Sequence, residues 1–147
     1  MSIISGILDN AILLSAMMAW LIAQVLKVII NFSIHRTFDV GFLFSSGGFP
    51  SSHSATVSAL SIGVGKYYGW NSPIFAVAVI FGMIVMYDAA GVRRAAGKQA
   101  EVINQLVQEL YQQMSHLSQE RLKELIGHTP FEVFAGAIVG IIVGILM

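Results

Sequence analysis

The sequence predicts an all-α fold: an integral membrane helical bundle of about four transmembrane helices, with an amphipathic helical hairpin inserted before the last one. Three observations lead there. Of 147 residues, 56% are hydrophobic and only 11% are charged, where ordinary soluble domains carry roughly 25% charged residues. The apolar residues gather in runs at 11–32, 73–90 and 131–147, with a fourth and more polar run at 54–70. These lengths suit a hydrocarbon core that takes about 17–25 helical residues to cross. Before the last run the pattern changes to apolar residues at three-and-four spacing among glutamines and glutamates, which describes a helix lying outside the bilayer core.

Each element follows from local chemistry. The run 11–32 lacks a basic leader and a cleavage site, so it reads as a retained span. The loop after it carries Asp39 and then Ser45-Ser46-Gly47-Gly48-Phe49-Pro50, too rich in glycine and serine for regular structure. It ends where a helix begins, with Ser51, Ser52 and His53 at the helix start. Free N–H groups and the positive dipole end make such a start suited to phosphate. The run 54–70 closes with Lys66, Tyr67, Tyr68 and Trp70, a cation able to snorkel and aromatics of the kind found at headgroup depth. The run 73–90 ends beside Asp88, and Arg93 and Arg94 follow.

From 98 to 117, Val102, Ile103, Leu106, Val107, Leu110 and Met114 share one face of an amphipathic helix. A second short helix at 118–126 has a serine cap and an apolar side of Leu122, Leu125 and Ile126. Together they form the hairpin, about 95–127, within a single membrane domain of 1–147. The last run carries Gly136, Gly140 and Gly144, a small-residue stripe that lets helix backbones approach closely. Packing within the bundle is the expected use, and a homodimer seam is the alternative.

Charge gives an orientation. The formal net charge is zero, yet with four spans every lysine and arginine except Lys66 falls on one face, which the positive-inside rule makes cytoplasmic. The absence of cysteine excludes disulfides, thiolate catalysis and cysteine metal sites. No histidine and carboxylate grouping has metal-ligand spacing, so no metal and no cofactor is expected. Membrane lipid is an expected partner, and nucleic acid is not.

Two histidines carry the functional reading. His53 and His128 stand at the mouths of apolar helices, where a buried polar group without a partner costs about 2–7 kcal/mol. Glu132 follows His128 by four residues, so on a helix its carboxylate lies on the same face and can orient the imidazole. Lys27, Arg36, Arg93 and Arg94 supply positive charge nearby, Asp88 can hold an arginine in place, and the combination suits a phosphate. His35 and His116 are expected to face water.

These residues match a family pattern. Pro50-Ser51-Ser52-His53 resembles the Pro-Ser-Gly-His motif of the type 2 phosphatidic acid phosphatase and vanadium haloperoxidase superfamily. The run from Gly127 to Ala137, with His128, Glu132 and Gly136, is similar to its third motif, Lys27 and Arg36 to its first, and Arg93 or Arg94 to the arginine that opens the third. With Gly47-Gly48-Phe49-Pro50-Ser51-Ser52-His53-Ser54 and Asp88-Ala89-Ala90-Gly91-Val92-Arg93-Arg94, nearly the whole chain resembles the small bacterial members of the divergent branch. It departs in having Ser52 for glycine, Glu132 for aspartate, and the hairpin between its arginines and His128. The resemblance implies a metal-independent lipid phosphate or polyprenyl phosphate phosphatase. His128 would be nucleophile, His53 general acid and Glu132 orienting carboxylate, while Lys27, Arg36, Arg93 or Arg94 and the amides of Ser51 and Ser52 would hold the phosphoryl oxygens. The alternatives are a catalytically silent membrane protein that binds phospholipid or anions, and an assembly scaffold that recruits a partner through the hairpin.

Overall fold

Capping residues set the helix starts. In a computed structural model that describes residues 3–36, 47–113 and 127–147, Asn10 opens the first long helix, its Oδ1 accepting from the Leu13 amide at 3.0 Å. That helix, α2 (Ala11–His35), ends at Arg36 in a left-handed conformation, φ 56°. Ser51 caps α3 (Ser52–Tyr68), Ser72 with Pro73 opens α4 (Pro73–Ala90), and Thr129 with Pro130 opens α6 (Pro130–Leu146). Only Gly91 separates α4 from α5 (Val92–Gln113). A short α1 (Ile3–Leu8) precedes them. The sequence reading lacks it because six residues are too few to show a helical period.

The all-α membrane bundle is the observed architecture. α2 and α4 are long and apolar enough to cross a bilayer, and α6 is a shorter apolar helix of 17 residues. The more polar α3 lies at the centre, touching α2, α4 and α6. Its polar side chains are turned to backbone: Thr56 Oγ1 donates to the Ser52 carbonyl at 2.7 Å, and Ser61 Oγ reaches the carbonyls of Val57 and, across to α4, Ala78. Large side chains point outward, among them Met17, Ile80, Phe81 and Ile84, as lipid contact demands. Small ones form the core, Ala19, Ala23, Ala55 and Ala59 with Val143. Lipid gives no hydrophobic drive between helices, so close backbone approach has to supply the packing energy.

The glycine stripe of α6 is where that approach is tightest. A Cβ on Gly136 would run into the Ser51 carbonyl and one on Gly140 into the Ala55 carbonyl, while one on Gly144 would come within 3.1 Å of the Ala59 carbonyl. All three glycines are buried against α3 of the same chain. Packing within the bundle, the expected use of Gly136, Gly140 and Gly144, is the contact they make.

Two expectations change. Lys66 Nζ, read as a snorkelling cation, donates to the carbonyls of Gly144 and Ile145 at 3.2 and 2.9 Å. It closes the C-terminal end of α6, where the helix dipole favours a cation. The amphipathic helix begins at Val92, not near 98, because Ala95, Ala96, Lys98, Gln99 and Ala100 are strong helix formers. Arg93 and Arg94 thus ride on a helical turn and not in a loop. Asp39, His116, Arg121, Lys123 and the predicted helix at 118–126 lie outside the described residues.

Candidate active site at two helix mouths

The starts of α3 and α6 are tied together by backbone. The Ser51 amide donates to the Glu132 carbonyl at 3.0 Å, so the two helix mouths open side by side. Ser51 is fully buried, and its Oγ accepts from the Ser54 amide at 3.3 Å and meets Ser54 Oγ at 3.1 Å. The expectation that the Ser51 amide holds phosphate is corrected: that N–H is committed to Glu132, and Ser51 is a structural cap. Ser52 is buried on the first turn of α3, its carbonyl accepting from Thr56.

This junction brings the two histidines into contact. His53 Nδ1 lies 3.4 Å from His128 Nε2, with the rings edge to face at 66°. The other nitrogen of His128, Nδ1, lies 3.2 Å from Glu132 Oε2. His128 precedes α6, so the two do not share a helical face as their four-residue spacing suggests. A capping box returns the carboxylate instead: Glu132 Oε2 accepts from the Thr129 amide at 3.0 Å, and Thr129 Oγ1 accepts from the Glu132 amide at 3.3 Å. One oxygen thus anchors both the helix start and the imidazole. An Nδ1–H directed at Glu132 leaves Nε2, the atom facing His53, with its lone pair.

His128 is 1% exposed, and its amide donates to the Ala89 carbonyl at 2.8 Å. The preceding Gly127 has φ +103°, and a Cβ there would strike the Arg93–Arg94 backbone. The left-handed conformation and the close approach both call for glycine. This contact closes the sequence gap between the arginines and His128, setting the α4–α5 junction over the histidine pair. Arg93 Nε donates to Asp88 Oδ2 at 2.8 Å, and both charges act on His53. Arg94 is exposed, its backbone against Gly127. Of the two arginines, Arg93 is the one paired with Asp88.

Lys27 completes the group. It is 1% exposed within α2, its methylenes packed beside Gly48, where a Cβ would lie 3.3 Å from Lys27 Cδ. Its charge acts on Glu132 and on both histidines. Arg36 is not drawn in with it. It is exposed at the end of α2, nine residues on and therefore about 13 Å along the helix axis from Lys27.

Sequence reasoning missed two participants, Thr129 as half of a capping box and Gly48 as the surface that receives Lys27, and a buried polar residue, Gln24, one turn before Lys27 in α2. The signal for Thr129 is its spacing to Glu132, and for Gln24 a polar residue within an apolar span. Among the described residues there is no group of three or more histidine, aspartate or glutamate side chains that could hold a metal ion.

Burial holds the His128 imidazole below the usual histidine pKa of 6.5, outweighing the opposite pull of the Glu132 hydrogen bond. In the unfolded chain this histidine takes up a proton near pH 6.5, whereas in the fold it does so only at lower pH. Its contribution to stability is therefore full above that value and is lost as pH falls through the folded pKa. Thermal unfolding in detergent should show a Tm that drops between pH 7 and 5, with a smaller drop in His128→Gln.

Comparison with known proteins adds three findings. The Divergent PAP2 family matches residues 8–143. A protein of Bacillus subtilis (strain 168), called uncharacterized membrane protein YuiD, is 45% identical over 151 aligned positions that cover 96% of each chain. No solved structure matches.

Proposed function

The chain belongs to the Divergent PAP2 family, and from that premise we propose that it is a membrane-embedded phosphatase acting on a lipid phosphate or polyprenyl phosphate through a phosphohistidine. The observation that carries the reading is His128, buried, with Nδ1 held by Glu132 and Nε2 turned to His53. A neutral imidazole with a fixed tautomer is a nucleophile, and a second histidine beside it is the partner a two-step phosphoryl transfer needs.

In the first step Nε2 of His128 bonds to phosphorus while the bond to the alkoxide breaks, and protonated His53 gives its proton to that leaving oxygen. In the second, water attacks the phosphohistidine and yields its proton to His53, and inorganic phosphate departs from His128. Lys27 and Arg93 stabilise the charge on the phosphoryl oxygens, Arg93 being aimed by Asp88. In-line transfer sets the two reacting ring nitrogens about 7 Å apart, counting a near-attack contact, the breaking bond and a hydrogen bond. At 3.4 Å the rings close on each other, so substrate must part them. His128 is fixed by Glu132 and by its amide, which leaves His53, half-buried on the first turn of α3, as the ring that swings.

The site belongs to a bundle with apolar outer surfaces, which favours an amphiphilic substrate whose tail stays in the bilayer. The excess of basic residues on the site's side favours a site at the cytoplasmic face.

The test is phosphate release by purified protein in detergent from phosphatidate, phosphatidylglycerophosphate and polyprenyl phosphates. A rapid quench with radiolabelled substrate runs alongside. Release from at least one substrate is expected, with a protein-bound label that acid removes and alkali spares, as a phosphorus–nitrogen bond requires. A folded protein that releases no phosphate and carries no label would overturn the reading.

A further inference from the structure

One aromatic contact stands beside the histidines. Phe49, three residues before Ser52, and Phe131, three after His128, stack at 5.4 Å between ring centroids and 16° between planes. Each belongs to one of the two histidine-bearing segments, and the Ser51–Glu132 hydrogen bond joins those segments beside the stack. Phe131 is nonetheless 71% exposed. A ring placed for packing would be covered, and interfacial anchoring is chiefly the work of tryptophan and tyrosine.

Phe131 also heads a continuous apolar stripe. Phe134, Ile138, Ile142 and Ile145 are all exposed, and at about 100° per residue they share the Phe131 side of α6. The same rotation sets this stripe opposite Gly136, Gly140 and Gly144, which pack on α3. A hydrocarbon chain lying along the outer face of α6 thus meets Phe131 at its upper end, and beyond it the histidine pair.

We propose that the Phe49–Phe131 stack is the substrate's hydrocarbon subsite: it bears the carbons next to the phosphate ester and guides an amphiphilic phosphate sideways from the bilayer to His128. This specificity role rests on the phosphatase reading. Phe131 and Phe49 take no part in bond breaking, so they act on a substrate only through its tail.

The experiment compares wild type, Phe131→Ala, Phe49→Ala and Phe131→Leu on long-chain phosphatidate in mixed micelles and on p-nitrophenyl phosphate, which has no tail. Melting temperatures are taken for every protein. Losing the ring's apolar contact should lower kcat/KM on phosphatidate by about tenfold, chiefly through KM. Turnover of p-nitrophenyl phosphate should stay within twofold in both alanine variants, and Phe131→Leu, which keeps apolar surface, should recover most of the loss. An equal fall on both substrates would show a structural role and overturn the subsite, as would no fall on either. If wild type hydrolyses p-nitrophenyl phosphate, the phosphatase reading stands whatever the phenylalanine variants do. If wild type hydrolyses neither p-nitrophenyl phosphate nor any of phosphatidate, phosphatidylglycerophosphate and the polyprenyl phosphates, the reading and the subsite fall together.

Discussion

Replacing His128 by alanine should reduce phosphate release by at least about 10³-fold, because removing the nucleophile of a covalent mechanism removes the path itself. The fold should survive, since what His128 contributes to the bundle beyond its side chain is a backbone N–H to the Ala89 carbonyl, which alanine retains. Phosphoprotein should not form at all. His53→Ala offers the sharper comparison, because general acid catalysis contributes about 10²–10⁴-fold and matters most when the leaving oxygen is a poor one. On a lipid phosphate, whose alkoxide needs a proton, His53→Ala should be nearly as slow as His128→Ala. On p-nitrophenyl phosphate, whose leaving group departs unprotonated, much of the first step should return and labelled His128 should accumulate. Equal activity of His53→Ala and wild type on the lipid would remove His53 from the mechanism. Undiminished turnover in His128→Ala would do the same for the nucleophile.

Gly140→Val should be strongly disruptive to the bundle. The new Cβ would meet the Ala55 carbonyl, which is backbone inside a helix and has no rotamer by which to move away. Overpacking of well-packed cores costs about 1–3 kcal/mol or more, and here it would also pry α6 from α3. That contact places His128 and Glu132 against Ser51 and His53, so activity and stability should fall together. Gly144→Ala adds only a Cβ, which would meet Ile62 Cβ at 2.8 Å and the Ala59 carbonyl at 3.1 Å, a milder clash that should cost less. Ile142→Ala, on the lipid side of the same helix, should change the melting temperature little. Size-exclusion profiles and thermal unfolding in one detergent give the ranking, and a Gly140→Val protein as stable as wild type would contradict the α3–α6 packing.

Much of the site is legible in the sequence. Pro50, Ser51, Ser52 and His53 announce a helix start, and His128 with Glu132 announces a second, because capping and proline placement are local rules obeyed within a few residues. The roles of these residues were less legible. Ser51 reads as a phosphate-binding amide until its N–H is seen to serve Glu132. His128 and Glu132 read as a pair on one helical face, yet they meet through a capping box that turns the carboxylate back over the helix start. Arg36 and Lys27 resemble one motif, but a helix sets them far apart along α2. In each case spacing alone told which groups were near one another in the chain, and not which partner had already claimed their hydrogen bonds.

The sequence by itself determined that this is a helical membrane protein, where its helices begin, and that two histidines and a carboxylate stand at their mouths. Hydropathy and capping are properties of single residues and their immediate neighbours, so no distant contact is needed to express them. Tertiary structure decided which arginine is held by Asp88 near His53, that the glycine stripe of α6 is spent on α3, and that Lys66 closes a helix end. It also set two rings 75 residues apart in the chain within 3.4 Å of each other. Those outcomes depend on how closely two helix backbones can approach, and that distance is fixed by the small side chains of both helices at once.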